Sequence, residues 1–137
     1  MILLDTSILS LAYRRQPRRA AVDPIVTHLR ELIRHGSALG LPGIVLQEVL
    51  SGVRTLKQFD AVRGHLMSFQ LCLASEDDHV RAAQIYNNCL GHGTTCSAID
   101  ALIAAQAIGF EAELFSSDRD FPLIAQHCDL ALHKVPA

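Results

Sequence analysis

No stretch of this sequence approaches the roughly 18 consecutive apolar residues of a membrane-spanning helix, so no span is expected. No basic segment followed by an apolar run opens the chain, and a secretory signal is not expected either. No Cys-x-x-Cys pair occurs. Cys72, Cys89, Cys96 and Cys128 are widely spaced, which argues against zinc and for buried thiols in a reducing compartment. These absences together predict a cytoplasmic protein. An excess of basic charge is missing too. Twelve Lys and Arg stand against 14 Asp and Glu, a net charge of −2, so nucleic acid would have to be met by a local cluster rather than a global field. Low-complexity tracts, linkers and internal repeats are also lacking. Half of the 137 residues are hydrophobic, which suffices for one globular domain over residues 1–137.

What is present is an alternation of short apolar runs and helical patterns. Met1 to Leu4 reads as a buried strand that stops at Asp5, with Thr6 or Ser7 capping a short helix. Ala20 to His35 carries apolar residues at helical spacing, closed by Gly36. Ala38 to Leu41 predicts a second strand. Pro42-Gly43 opens a helix containing Glu48, with Gly52 one turn later on the same face, a pairing that suggests a close approach beside Glu48. A helix over Thr55 to Met67, a strand over Phe69 to Leu73 and a helix capped at Ser75 follow. Ser97-Ala-Ile-Asp100 has the form of a capping box and starts an alanine-rich helix that stops at Gly109. Ala112 to Phe115 predicts a fourth strand, Pro122 to about His127 a short helix, and Leu130 to His133 a last strand. This order implies an α/β fold, a three-layer α/β/α sandwich around a mostly parallel sheet of four to five strands.

The chemistry-bearing residues stand at the joints of that pattern. Ligands of open parallel sheets sit at the C-terminal strand ends, where Asp5 lies. Asp5, Glu48, Asp100 and Asp118, with Asp120 nearby, all fall at strand ends or early helical turns. Each has a modest alternative as a cap, a surface acid or a turn residue. Together they would repel one another unless a cation joined them, and oxygen-only ligands favour Mg²⁺ or Mn²⁺. No histidine shows ligand spacing. Arg14, Arg15, Arg18 and Arg19, four of the ten arginines, form either a solvated loop or a phosphate-contacting rim near Asp5.

Four segments carry a family likeness: Leu4-Asp5-Thr6-Ser7-Ile8-Leu9, Glu48-Val49-Leu50-Ser51-Gly52, Asp100 to Ala105, and Ser116-Ser117-Asp118-Arg119-Asp120-Phe121. In this order and spacing the chain resembles the PIN-domain ribonucleases, and within them the VapC-type toxins of bacterial toxin–antitoxin pairs. The middle of the chain, residues 55 to 95, adds little to the likeness. The resemblance implies Mg²⁺- or Mn²⁺-dependent endoribonuclease activity, by attack of activated water on a phosphodiester. It makes Asp5, Glu48, Asp100 and Asp118 the catalytic and metal-site acids, and Thr6, Ser116 and Asp120 supporting residues. It also implies an RNA substrate, a cognate antitoxin protein and a homodimer.

Other readings compete. A phosphoaspartyl enzyme of the haloacid-dehalogenase type needs a second Asp two residues after the first, where this chain has Ser7. A receiver domain needs a lysine at a late strand end, and Lys57 and Lys134 are both badly placed. The rival from another class is a catalytically silent PIN-like module that binds RNA or protein.

Overall fold

An apolar run that breaks at an acid forms the centre of the molecule. In this computed structural model, which describes residues 1–13 and 23–136, β1 is Ile2–Leu4, and Leu3 and Leu4 are wholly buried. It lies between β2 (Leu39–Pro42) and β4 (Glu113–Phe115), with β3 (Gln70–Cys72) and β5 (Ala131–Leu132) at the edges. All four pairings are parallel and the order is β3-β2-β1-β4-β5. The mostly parallel sheet of four to five strands expected from the sequence is thus present, with five strands and, among the described residues, no antiparallel member. The chain leaves β1 for β2 on one side and later returns to β4 on the other. The strand order therefore reverses between β1 and β4, and ligand crevices of open α/β sheets form at such a point.

The helices take the connections: α1 (Thr6–Tyr13), α2 (Pro24–Arg34), α3 (Gly43–Ser51), α4 (Leu56–Leu66), α5 (Glu76–Gly91), α6 (Ala98–Gly109) and α7 (Asp120–Ile124). A 3-10 turn over Ala125–His127 leads to β5. Three local readings are corrected. Helix α2 begins at Pro24 rather than Ala20, because Asp23 caps the Ile25 N–H at 2.8 Å and proline suits the first helical position. Neither Thr6 nor Ser7 is the cap of α1. That place belongs to Asp5, whose carbonyl accepts from the Ile8 and Leu9 N–H groups. Gly52 is not inside α3 but ends it, and a Cβ there would meet only the Val49 carbonyl oxygen, at an ordinary 3.6 Å.

Helix α6 is the most deeply seated. Ala101, Ile103, Ala104, Ala105 and Ala107 are all buried, and small side chains let α5 come close. The approach is tightest at Gly109, where a Cβ would lie 2.6 Å from Asp78 Oδ1. Gln106, 1% exposed, donates from Nε2 to the Cys72 carbonyl at 2.9 Å, which gives its buried amide nitrogen a partner. Two of the four cysteines depart from the expectation of burial: Cys72 and Cys89 are buried, Cys96 and Cys128 partly exposed, and all four are free thiols. No helix among the described residues is long and apolar enough to cross a membrane.

Candidate metal centre

The ends of β1 and β4 meet at the reversal of strand order. Each strand ends in two buried apolar residues, Leu3-Leu4 and Leu114-Phe115, and stops at polar ones, Asp5-Thr6-Ser7 on one side and Ser116-Ser117-Asp118 on the other. The ladder runs to the last residue, with the Asp5 N–H donating to the Phe115 carbonyl at 3.0 Å. Beyond it, side chains take over. Asp5 is 5% exposed, and its Oδ2 accepts from Ser116 Oγ at 2.7 Å and from Ser7 Oγ at 2.8 Å. The Ser7 N–H adds a longer contact of 3.4 Å. Ser116 Oγ in turn accepts the Asp118 N–H at 3.0 Å, and Asp118 Oδ1 accepts the Asp120 N–H at 2.9 Å.

This arrangement aims three carboxylates at one another. One oxygen from each of Asp100, Asp118 and Asp120 lies within 4.8 Å of the others. Asp100 reaches the cluster from the first turn of α6. Its N–H is capped by Ser97 Oγ at 3.0 Å, as the sequence suggests, but the return bond that completes a capping box at Ser75 and Asp78 is not formed. Its carboxyl is pushed up to about 6. Burial is the main cause, and the charges of Asp118, Asp5 and Asp120 add to it while the Ser97 hydroxyl acts against it. The proximity of four carboxylates is therefore felt at Asp100, and a cation placed among them would relieve it.

Glu48 stands apart from that group. It reaches the end of β1 from α3, where Thr6 Oγ1 donates to Glu48 Oε1 at 2.9 Å. A cleft of about 470 Å³ opens beside it, lined by Tyr13, Val49, Val53 and Gln58 among others. The structure thus brings Asp100, Asp118 and Asp120 together, joins Asp5 to them through Ser116 and through its charge acting on Asp100, and holds Glu48 apart from them on Thr6. Asp120, expected only to support, brings an oxygen within the same 4.8 Å of Asp100 and Asp118. Ser7 had no place among the expected site residues. The only signal was a hydroxyl two residues after the acid, which reads equally well as a helix cap. Arg14, Arg15, Arg18 and Arg19 lie outside the described residues.

A family model described as PIN domain matches residues 2–126. No curated protein matches the chain. Among solved structures the chain is similar to FitAcB from Neisseria gonorrhoeae, at 25% identity and TM-score 0.75, over 98% of this chain and 97% of that one. Its fold is also that of VapBC2 from Rickettsia felis, solved on a DNA fragment from its promoter (22% identity, TM-score 0.77, 97% and 98% of the two chains). A third such structure is Mycobacterium tuberculosis VapC20, a sarcin-ricin loop cleaving toxin (16% identity, TM-score 0.67, 96% and 99%).

Proposed function

The chain belongs to the PIN-domain family, and from that premise we propose that it is a metal-dependent endoribonuclease, the toxin of a toxin–antitoxin pair. The observation that carries this reading is the meeting of Asp100, Asp118 and Asp120 within 4.8 Å, beside a buried Asp5. Donors of this kind fit Mg²⁺ or Mn²⁺. All are carboxylate oxygens, no thiol or imidazole joins them, and their mutual repulsion favours a small hard cation. When bound, such an ion would neutralise charge on a phosphodiester and lower the pKa of water.

The residues have separate tasks in this proposal. Asp5, Asp100 and Asp118 hold the ion, and Asp120 joins or steadies them. Ser116 keeps Asp5 and the Asp118 backbone in register across the two strand ends. Glu48, fixed at Oε1 by Thr6, keeps Oε2 to accept a hydrogen bond from the attacking water and orient it toward phosphorus. Arg14, Arg15, Arg18 and Arg19 are the proposed contacts to the RNA backbone. A small antitoxin protein and a second copy of the chain are the proposed protein partners, and the cytoplasm the place of action. The reading takes residues 1–137 as one domain.

Incubation with a panel of structured RNAs in Mg²⁺, Mn²⁺ or EDTA tests the proposal. Cleavage with either ion and none in EDTA is expected. Equal cleavage in EDTA would exclude the metal, and folded protein that binds Mn²⁺ yet cuts no RNA would point to a silent binding module.

A further inference from the structure

Two serine hydroxyls converge on one oxygen of Asp5, and their protons can be traced. Ser116 Oγ and Ser7 Oγ lie 2.7 and 2.8 Å from Asp5 Oδ2. A hydroxyl carries one proton, and each donates it there. The 3.2 Å between the two hydroxyl oxygens is then a contact without a proton. Their lone pairs are also engaged, Ser7 Oγ by the Ser117 N–H at 3.0 Å and Ser116 Oγ by the Asp118 N–H at 3.0 Å. The network therefore runs in one direction, from backbone amides through hydroxyls to Asp5 Oδ2. With the Ser7 N–H also facing it, that oxygen is saturated. Among the described residues Asp5 Oδ1 takes no hydrogen bond and no buried side-chain oxygen lacks a partner, so Oδ1 is the atom they leave open. Asp118 repeats the pattern, with Oδ1 engaged by the Asp120 N–H.

We propose that Ser7 is a positioning residue that, with Ser116, turns Asp5 into a one-oxygen ligand of fixed aim and so sets the choice of cation. This rests on the reading above that the acids hold a divalent ion. Mg²⁺ and Mn²⁺ suit single oxygens in tight octahedral order, whereas Ca²⁺ is larger and readily takes both oxygens of a carboxylate. A carboxylate whose second oxygen is occupied by hydroxyls suits the smaller ions and handicaps Ca²⁺. Removing the Ser7 hydroxyl loosens Oδ2, frees the Ser117 amide and lets Asp5 rotate.

The test is titration of the intact chain, without RNA, with Mn²⁺ and separately with Ca²⁺, by calorimetry. Wild type, Ser7→Ala and Ser7→Thr are compared, each with its melting temperature. Wild type is expected to prefer Mn²⁺. Ser7→Ala should weaken Mn²⁺ by about tenfold, in line with losing a partner of a metal-ligating carboxylate. Its Ca²⁺ affinity should hold or rise, and Ser7→Thr, which keeps the hydroxyl, should restore the preference. Unchanged affinities in Ser7→Ala, or equal weakening of both ions, would overturn the inference while leaving the nuclease reading intact. A wild type that cleaves RNA in EDTA and binds neither ion would overturn both.

Discussion

Asp100 shows how strongly single residues are bound by their surroundings. Its carboxyl is raised to about 6 from an ordinary 3.8, chiefly by burial, so the folded state holds this proton more tightly than the unfolded state does. The sign follows from linkage. Ionised Asp100 opposes folding above about 6, and the opposition is lost as pH falls toward 3.8. In EDTA at pH 7.5, Asp100→Asn is expected to melt above wild type, with the gap closing by about pH 4. Thermal melts across that range check it. The same protons compete with the cation, so Mn²⁺ affinity should fall as pH drops through about 6, which calorimetry at several pH values would measure. At Glu48 the controlling contact is the Thr6 hydroxyl. Thr6→Val should lower the cleavage rate by about tenfold and Thr6→Ser should keep it, measured as single-turnover rates on one RNA. These dependences explain which site residues the sequence could reveal. Asp5 was legible because it breaks an apolar run at a strand end, and Asp118 because it follows Leu114-Phe115 after two hydroxyl residues. Ser7 was not, because its bond to Asp5 two residues back looks like a local cap, and the Ser117 N–H that it also accepts lies 110 positions away.

At the scale of elements, position depends on caps and close packing. The Ser75–Asp78 box anchors the start of α5, and Asp78 Oδ1 also sits where a Cβ on Gly109 would intrude. Ser75→Ala should cost about 1 kcal/mol through the lost cap. Gly109→Ala should cost about 1–3 kcal/mol through overpacking, despite the better helix propensity of alanine. Chemical denaturation of both variants is the measure, and stabilisation by Gly109→Ala would show that α5 and α6 have room to part. The alternation of strands and helices was readable from periodicity and punctuation, because buried strands and amphipathic helices differ in length and spacing. Errors came where two signals overlapped. Asp23-Pro24 starts α2, but the apolar spacing around Val22 drew the boundary back to Ala20. Gly52 lines the cleft beside Glu48 but proved a plain helix end, where a Cβ would be accommodated at ordinary contact distance. Parallel pairing of β5 rests on hydrogen bonds from a two-residue strand, too short for any sequence pattern to orient.

On the scale of the whole molecule, a sheet whose strand order reverses between β1 and β4 brings acids from both halves of the chain to one edge. Beside the start of α6, helices α3, α5 and α6 line an apolar cleft of about 450 Å³, with Ile44, Tyr86, Ile99 and Leu102 in its wall. Tyr86 and Ile99 are each 39% exposed there, a surface suited to the proposed second copy. Sedimentation should find wild type dimeric and Tyr86→Glu monomeric with unchanged circular dichroism, and a monomeric wild type would remove that part of the account. In the proposed function the acids at the strand ends, with Asp5 among them, perform metal-dependent RNA cleavage. The most direct measurement is the Mn²⁺ dependence of cleavage of one RNA by wild type and by Asp5→Asn, with melting curves of both. Loss of at least about a hundredfold in rate, in a variant that melts as a folded protein, is the expected result. Cleavage by Asp5→Asn at the wild-type rate and the same Mn²⁺ concentration would contradict it.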